Sequence, residues 1–265
     1  MSKEIQLEEL FVALSSIDFY GYMNFFFSFS FCFNQANPPR ALPASSIYFK
    51  ALRPAFVSYL RSMPKSSPIS APLREALIEC FRTTTRLVRP ELRHQLVLVG
   101  GTASIAHGSA FYTEDVDVVA PSNVLQDICK GVMDGALNYS LEPDGKIAFD
   151  ASQGIRVRID LIQIGDSIER IHATVPFFEG SVASMSDLLR LRAMTVVDRG
   201  SDGQAEDFRW LLSGVAKAGQ LLPGLDDEEL KYMLDACRFC LGGLYCLVLY
   251  SVLQEEDGRA FGLVI

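Results

Sequence analysis

Apolar residues recur along this chain with two periods, and the switches between them mark out its elements. Leu73, Leu77, Cys80, Phe81, Thr84, Leu87 and Val88 fall at helical spacing, and Pro90 ends the run. Residues 96–99 form an apolar block that stops at Gly100-Gly101, as a buried strand does. Residues 102–107 suit a short helix. Residues 115–119 read as a second strand closed by Pro121. Residues 124–137 read as a helix with Leu125, Ile128, Val132 and Leu137 inward. Asp144-Gly145, between apolar residues 139–141 and 147–149, predicts a hairpin. Residues 155–164 alternate as a strand. Residues 187–197 and 207–215 predict helices, and 227–253 a long helical region broken at Gly242-Gly243. This order predicts an α+β fold: a mixed β-sheet core with flanking helices, then a C-terminal helical region.

The start of the chain is of another character. Residues 4–14 suit a short amphipathic helix. Residues 25–33 alternate phenylalanine with serine or cysteine, which suits a strand with one aromatic face. That stretch is too short and too rich in serine to span a bilayer, which needs about 20 apolar residues. A helix interrupted near Pro54 is expected over 46–63, and a Pro/Ser linker over 64–72. The organisation expected is therefore an N-terminal segment (1–45), a helical region (46–93), a core (94–185) and a C-terminal helical region (186–265).

Composition narrows the partners. The 265 residues carry a net charge of −8, and 49% are hydrophobic, which is enough for a sizeable core. An acidic total argues against tight non-specific binding to nucleic acid. The basic residues between Arg40 and Arg93 leave room for a local surface that meets a polyanion. The six cysteines have no second CxxC and no nearby histidine to complete a zinc set with Cys237 and Cys240. Free core thiols in a reducing compartment, cytoplasmic or nuclear, are expected. No membrane partner is indicated.

The chemistry is concentrated in residues 96–119. A strand running into two glycines lets backbone turn sharply and approach a ligand closely. The helix that follows aims its first amides at that point, which suits a phosphate, and Thr102 and Ser104 offer hydroxyls. Asp115 and Asp117 lie two apart on a strand, so their carboxylates share one face. Two carboxylates side by side repel unless a cation lies between them, and a hard dication with oxygen ligands fits. Two-metal phosphoryl chemistry needs a third carboxylate. Asp160 supplies it if its strand lies beside that of Asp115. Arg158, on the same face as Asp160, is expected to pair with it when no metal is bound. A strand-end turn with two solvated aspartates is the alternative. His107 is expected to pack or cap rather than react, and Trp210 to be core.

This pattern of Gly-Gly, helix, Asp-Val-Asp-Val and a later single Asp resembles the nucleotidyltransferase superfamily, with its polymerase β-like fold. Locally it is most similar to the AbiEii-type and minimal nucleotidyltransferases and to fungal proteins of this fold. The likeness spans residues 96–212. The helical pair that ends it carries Arg192, Arg199 and Asp207 where the family repeats a basic residue, an Arg and an Asp. The resemblance implies a metal site of Asp115, Asp117 and Asp160, which are also the catalytic residues. It implies a nucleotide site of Gly100, Gly101, Thr102, Ser104, Thr113 and Arg192. The implied cofactor is Mg²⁺, with Mn²⁺ as a substitute, and the implied substrate an NTP. The nucleotidyl group would pass to a hydroxyl on RNA, a protein or a small molecule.

The sequence departs from the family at two places. Phe111 and Tyr112 occupy the stretch where an Arg usually precedes Thr-x-Asp, and Arg192 stands where Lys is more usual. Arg and Lys differ as phosphate binders. A second reading therefore stays open: an inactive relative that binds a nucleotide or a partner. A toxin of a toxin–antitoxin pair is a third.

Overall fold

The computed structural model describes residues 68–264, apart from 167, 201 and 242. The elements expected over 4–14, 25–33 and 46–63 lie outside the described residues. The described chain is built on a seven-stranded mixed sheet of order β3-β4-β5-β2-β1-β7-β6. The strands are β1 (Val97–Val99), β2 (Asp115–Ala120), β3 (Tyr139–Leu141), β4 (Ile147–Asp150), β5 (Arg156–Gln163), β6 (Thr174–Phe177) and β7 (Gly180–Ala183). In the centre, β2 runs parallel to β5 and antiparallel to β1, while β7 runs parallel to β1.

Helix α1 (Ala71–Leu87) packs on β2 and β5 and fully buries Leu77, Cys80, Phe81 and Thr84, with Phe81 stacked on Phe177 of β6 and Thr84 bonded to Tyr139 of β3. It begins inside the stretch expected to be a linker. Ser70 caps it by accepting from the Leu73 amide, and Pro72 sits in the first turn, where a missing N–H costs nothing. The short helix α2 (Gly100–Ala106) follows β1 directly. Helix α3 (Ser122–Met133) buries Val124, Ile128 and Val132. It stops before Leu137, expected inward but 83% exposed.

The β6–β7 hairpin was not expected from the sequence. Pro176 lies within β6, and its turn carries Phe178 at φ 52° in place of the usual glycine or asparagine. Small buried residues in β7 let it lie close to α1: a Cβ on Gly180 would stand 3.0 Å from Phe81.

Helices α4 (Met185–Arg199), α5 (Asp202–Ala218), α6 (Asp227–Asp235), α7 (Gly243–Val252) and α8 (Glu255–Val264) follow. Between α6 and α7 the helix widens to π geometry over Ala236–Leu241. A buried charge cluster joins α4 to α6. The Arg190 guanidinium meets both Glu229 and Asp187, and Asp187 also accepts from the amides of His172 and Ala173 and from Ser184. Cys237 and Cys246 are both buried. His107 packs as expected, its Nε2 2.8 Å from the Ala183 carbonyl, and Trp210 is half-buried. Among the described residues no helix is long and apolar enough to cross a membrane.

Candidate metal centre

The parallel pairing of β2 with β5 decides the site. Its register sets Asp117 directly across from Asp160, and Asp115 across from Arg158. Because side chains alternate along each strand, Asp115, Asp117 and Asp160 project from one face. Their carboxylates offer one oxygen each within 4.8 Å of one another, and all three are half-buried. Val116, Val118, Val157 and Ile159 point the other way and anchor both strands in the core.

The neighbours hold each aspartate in place. Thr113 Oγ1 donates to Asp115 Oδ1 at 2.8 Å. Thr102 Oγ1 donates to the Asp115 carbonyl at 2.6 Å. Gly100 takes φ +66°, and a Cβ there would stand 1.9 Å from Asp117 Oδ2. A Cβ on Gly101 would stand 2.7 Å from Thr113. The two glycines thus make room for the aspartate and its threonine as well as for a sharp turn.

Charge in the cluster is only partly compensated. Burial, then repulsion from Asp115 and Asp160, raises the Asp117 carboxyl to about 7, against the pull of Arg192 and Arg199. A site where carboxylates hold protons against one another fits a dication, and three carboxylate oxygens are the hard donors Mg²⁺ or Mn²⁺ takes.

The aspartates line a cleft of about 630 Å³, together with Gly101, Thr113, Tyr112, Lys146, Arg192 and Arg199. Two expected roles are corrected. The Thr102 hydroxyl is spent on the Asp115 carbonyl, and Ser104 donates to Asp207 Oδ2 at 3.1 Å, so neither hydroxyl is open to phosphate. They hold the walls instead. Arg158 does not pair with Asp160. Its Nε reaches Glu142 at 2.8 Å, and Lys146 Nζ takes Asp160 Oδ1 at 2.9 Å. Lys146 was missed in the sequence, although hairpin pairing foretells it. The register Ile147↔Ile159, extended by one step, sets Lys146 opposite Asp160.

Arg192 Nη2 stands 2.8 Å from Asp207 Oδ2, so α4 and α5 share an ion pair at the cleft wall. Burial raises the Asp207 carboxyl, opposed by Arg192 and Ser104, and its Oδ1 has no partner.

The mixed sheet with its flanking helices is nucleotidyltransferase-like in fold. Among solved structures, an antigenic nucleotidyltransferase-like protein from Paracoccidioides brasiliensis is similar over 73% of this chain and 100% of its own, with a TM-score of 0.53 and 14% identity. JHP933 from Helicobacter pylori covers 75% of this chain and 93% of its own, at a TM-score of 0.42 and 12% identity. No family model and no curated protein matches the sequence. The likeness is one of fold, carried by the first of these structures.

Proposed function

We propose that this chain transfers a nucleotidyl group from an NTP to an acceptor hydroxyl, with Mg²⁺ held by Asp115, Asp117 and Asp160. The observation that carries the reading is the meeting of three carboxylates within 4.8 Å in a cleft beside a double-glycine turn. Mn²⁺ suits the same donors. A dication bound there supplies an activated acceptor oxygen and offsets charge on the leaving group.

The chain's own residues supply the rest. Asp160, on the strand farther from the glycine turn, faces the acceptor and can take its proton. The acceptor oxygen bonds to the α-phosphorus as the α–β bond breaks, and pyrophosphate leaves. The backbone at Gly100 and Gly101 lies close to the phosphates, while Arg192 and Arg199 bring positive charge to them. Thr113 and Thr102 keep Asp115 in register. Free buried thiols suit a reducing compartment, cytoplasm or nucleus.

The test is incubation with α-labelled NTPs, Mg²⁺ and total RNA, protein or small-molecule fractions, followed by separation of the labelled product. Label transfer that disappears in Asp115→Ala supports the reading. NTP binding with neither label transfer nor pyrophosphate release, across that panel, favours the binding-module alternative.

A further inference from the structure

We infer that Asp207 is a positioning residue that keeps the Arg192 guanidinium off the three aspartates, so that the metal centre stays open to its cation; this rests on the metal-binding part of the reading above. Asp207 of α5 and Arg192 of α4 both line the metal cleft. They pair at 2.8 Å, with side chains 6% and 14% exposed. Ser104 of α2 donates to the same Asp207 oxygen at 3.1 Å. A second helix thus fixes the carboxylate that meets the guanidinium.

Arg192 has somewhere else to go. Beside the cleft lies a second cavity of about 280 Å³, and Asp117, Arg192 and Arg199 line both. The guanidinium therefore borders open space on two sides, and packing alone does not hold it. Asp117 lies within reach of its charge, which already pulls that carboxyl down. Among the described residues Asp207 is the carboxylate that Arg192 pairs with. Without it, a mostly buried guanidinium is left unpaired, which is costly. The same cleft offers the aspartate cluster, whose carboxylates repel one another and welcome a cation. A guanidinium seated there takes the dication's place.

Stability does not account for the pair. Buried ion pairs are often no better than apolar groups of the same volume. Burial raises the Asp207 carboxyl, and its Oδ1 has no partner. Such a group suits a role in setting where a charge stands.

The experiment titrates Mg²⁺, without nucleotide, into the full chain and its variants by calorimetry. Asp207→Asn keeps the size of the side chain and removes its charge. It should bind Mg²⁺ about tenfold more weakly, the scale of one charged hydrogen bond that the ion must displace. Adding Arg192→Met to that variant should restore Mg²⁺ affinity to within about twofold of wild type, because the competing guanidinium is gone and no buried charge is left unpaired. Adding Arg199→Met instead should not restore it. Equal Mg²⁺ affinity in wild type and Asp207→Asn would overturn the inference. So would equal rescue by the two second changes, which makes the effect one of net charge, or rescue by neither, which makes Asp207 a structural residue of α5. A wild-type chain that takes no Mg²⁺ overturns the metal centre and the inference with it. The expected pattern in a chain that labels no acceptor upholds the inference and overturns the transferase reading.

Discussion

A Cβ at position 100 would stand 1.9 Å from Asp117 Oδ2, so glycine there is a condition for the aspartate's position. Gly100→Ala must both strain a backbone at φ +66° and push the carboxylate aside. Turnover is expected to fall at least about 100-fold, the scale set by displacing a reacting group by an ångström. Gly101→Ala meets Thr113 Cβ and Oγ1 at 2.7 Å but has no left-handed backbone to strain, and its effect should be smaller. Steady-state kinetics of the two variants checks the order.

Asp117 makes the metal-free protein sensitive to pH. Its carboxyl rises from 3.8 to about 7 on folding. A raised acid stabilises the folded state below its unfolded value, and that contribution is lost as pH rises through about 7. In EDTA, Asp117→Asn should therefore stabilise the protein by about 2–4 kcal/mol at pH 8 and by little at pH 4. Urea unfolding at both pH values measures this.

The same proton opposes the cation. Below pH 7 binding must displace it, so Mg²⁺ affinity should rise about tenfold per pH unit and then level off near pH 7. A titration flat from pH 5 to 8 would count against Asp117 as a ligand.

Lys146 competes with a metal for Asp160. The pair is half exposed and weak, so Lys146→Met should tighten Mg²⁺ by no more than about fivefold in the absence of NTP. Calorimetry on the two proteins tests it.

Arg190 carries stability rather than chemistry. It is 4% exposed and bridges Glu229 and Asp187. Arg190→Met leaves the buried Asp187 without its cation and Glu229 with Arg170 alone, and should cost about 3 kcal/mol. Thermal or urea unfolding reads the loss.

The central strands and the shared face of Asp115 and Asp117 were legible because each rests on local signals: an apolar block, a double glycine, a period of two; that Asp160 joins them was conditional on the pairing of β2 with β5. The engagements of Thr102, Ser104 and Arg158 were not. Each depends on which partner comes closest in space, and Asp207 or Glu142 is near only once the sheet and helices have assembled. The β6–β7 hairpin stayed hidden because Pro176 and Phe178 disguise it. Lys146 lies between these cases. Its place follows from hairpin register, but only after the hairpin is paired to β5.

The face-to-face arrangement of Asp117 and Asp160 across two parallel strands frees the site from the length of chain between them. Residues 118–159 form an excursion whose end is returned to the same point by backbone hydrogen bonding. Insertions or losses at the excursion's outer turns would leave the aspartate spacing fixed at one strand-to-strand step. The excursion can therefore change in evolution while the pair of facing carboxylates keeps its place.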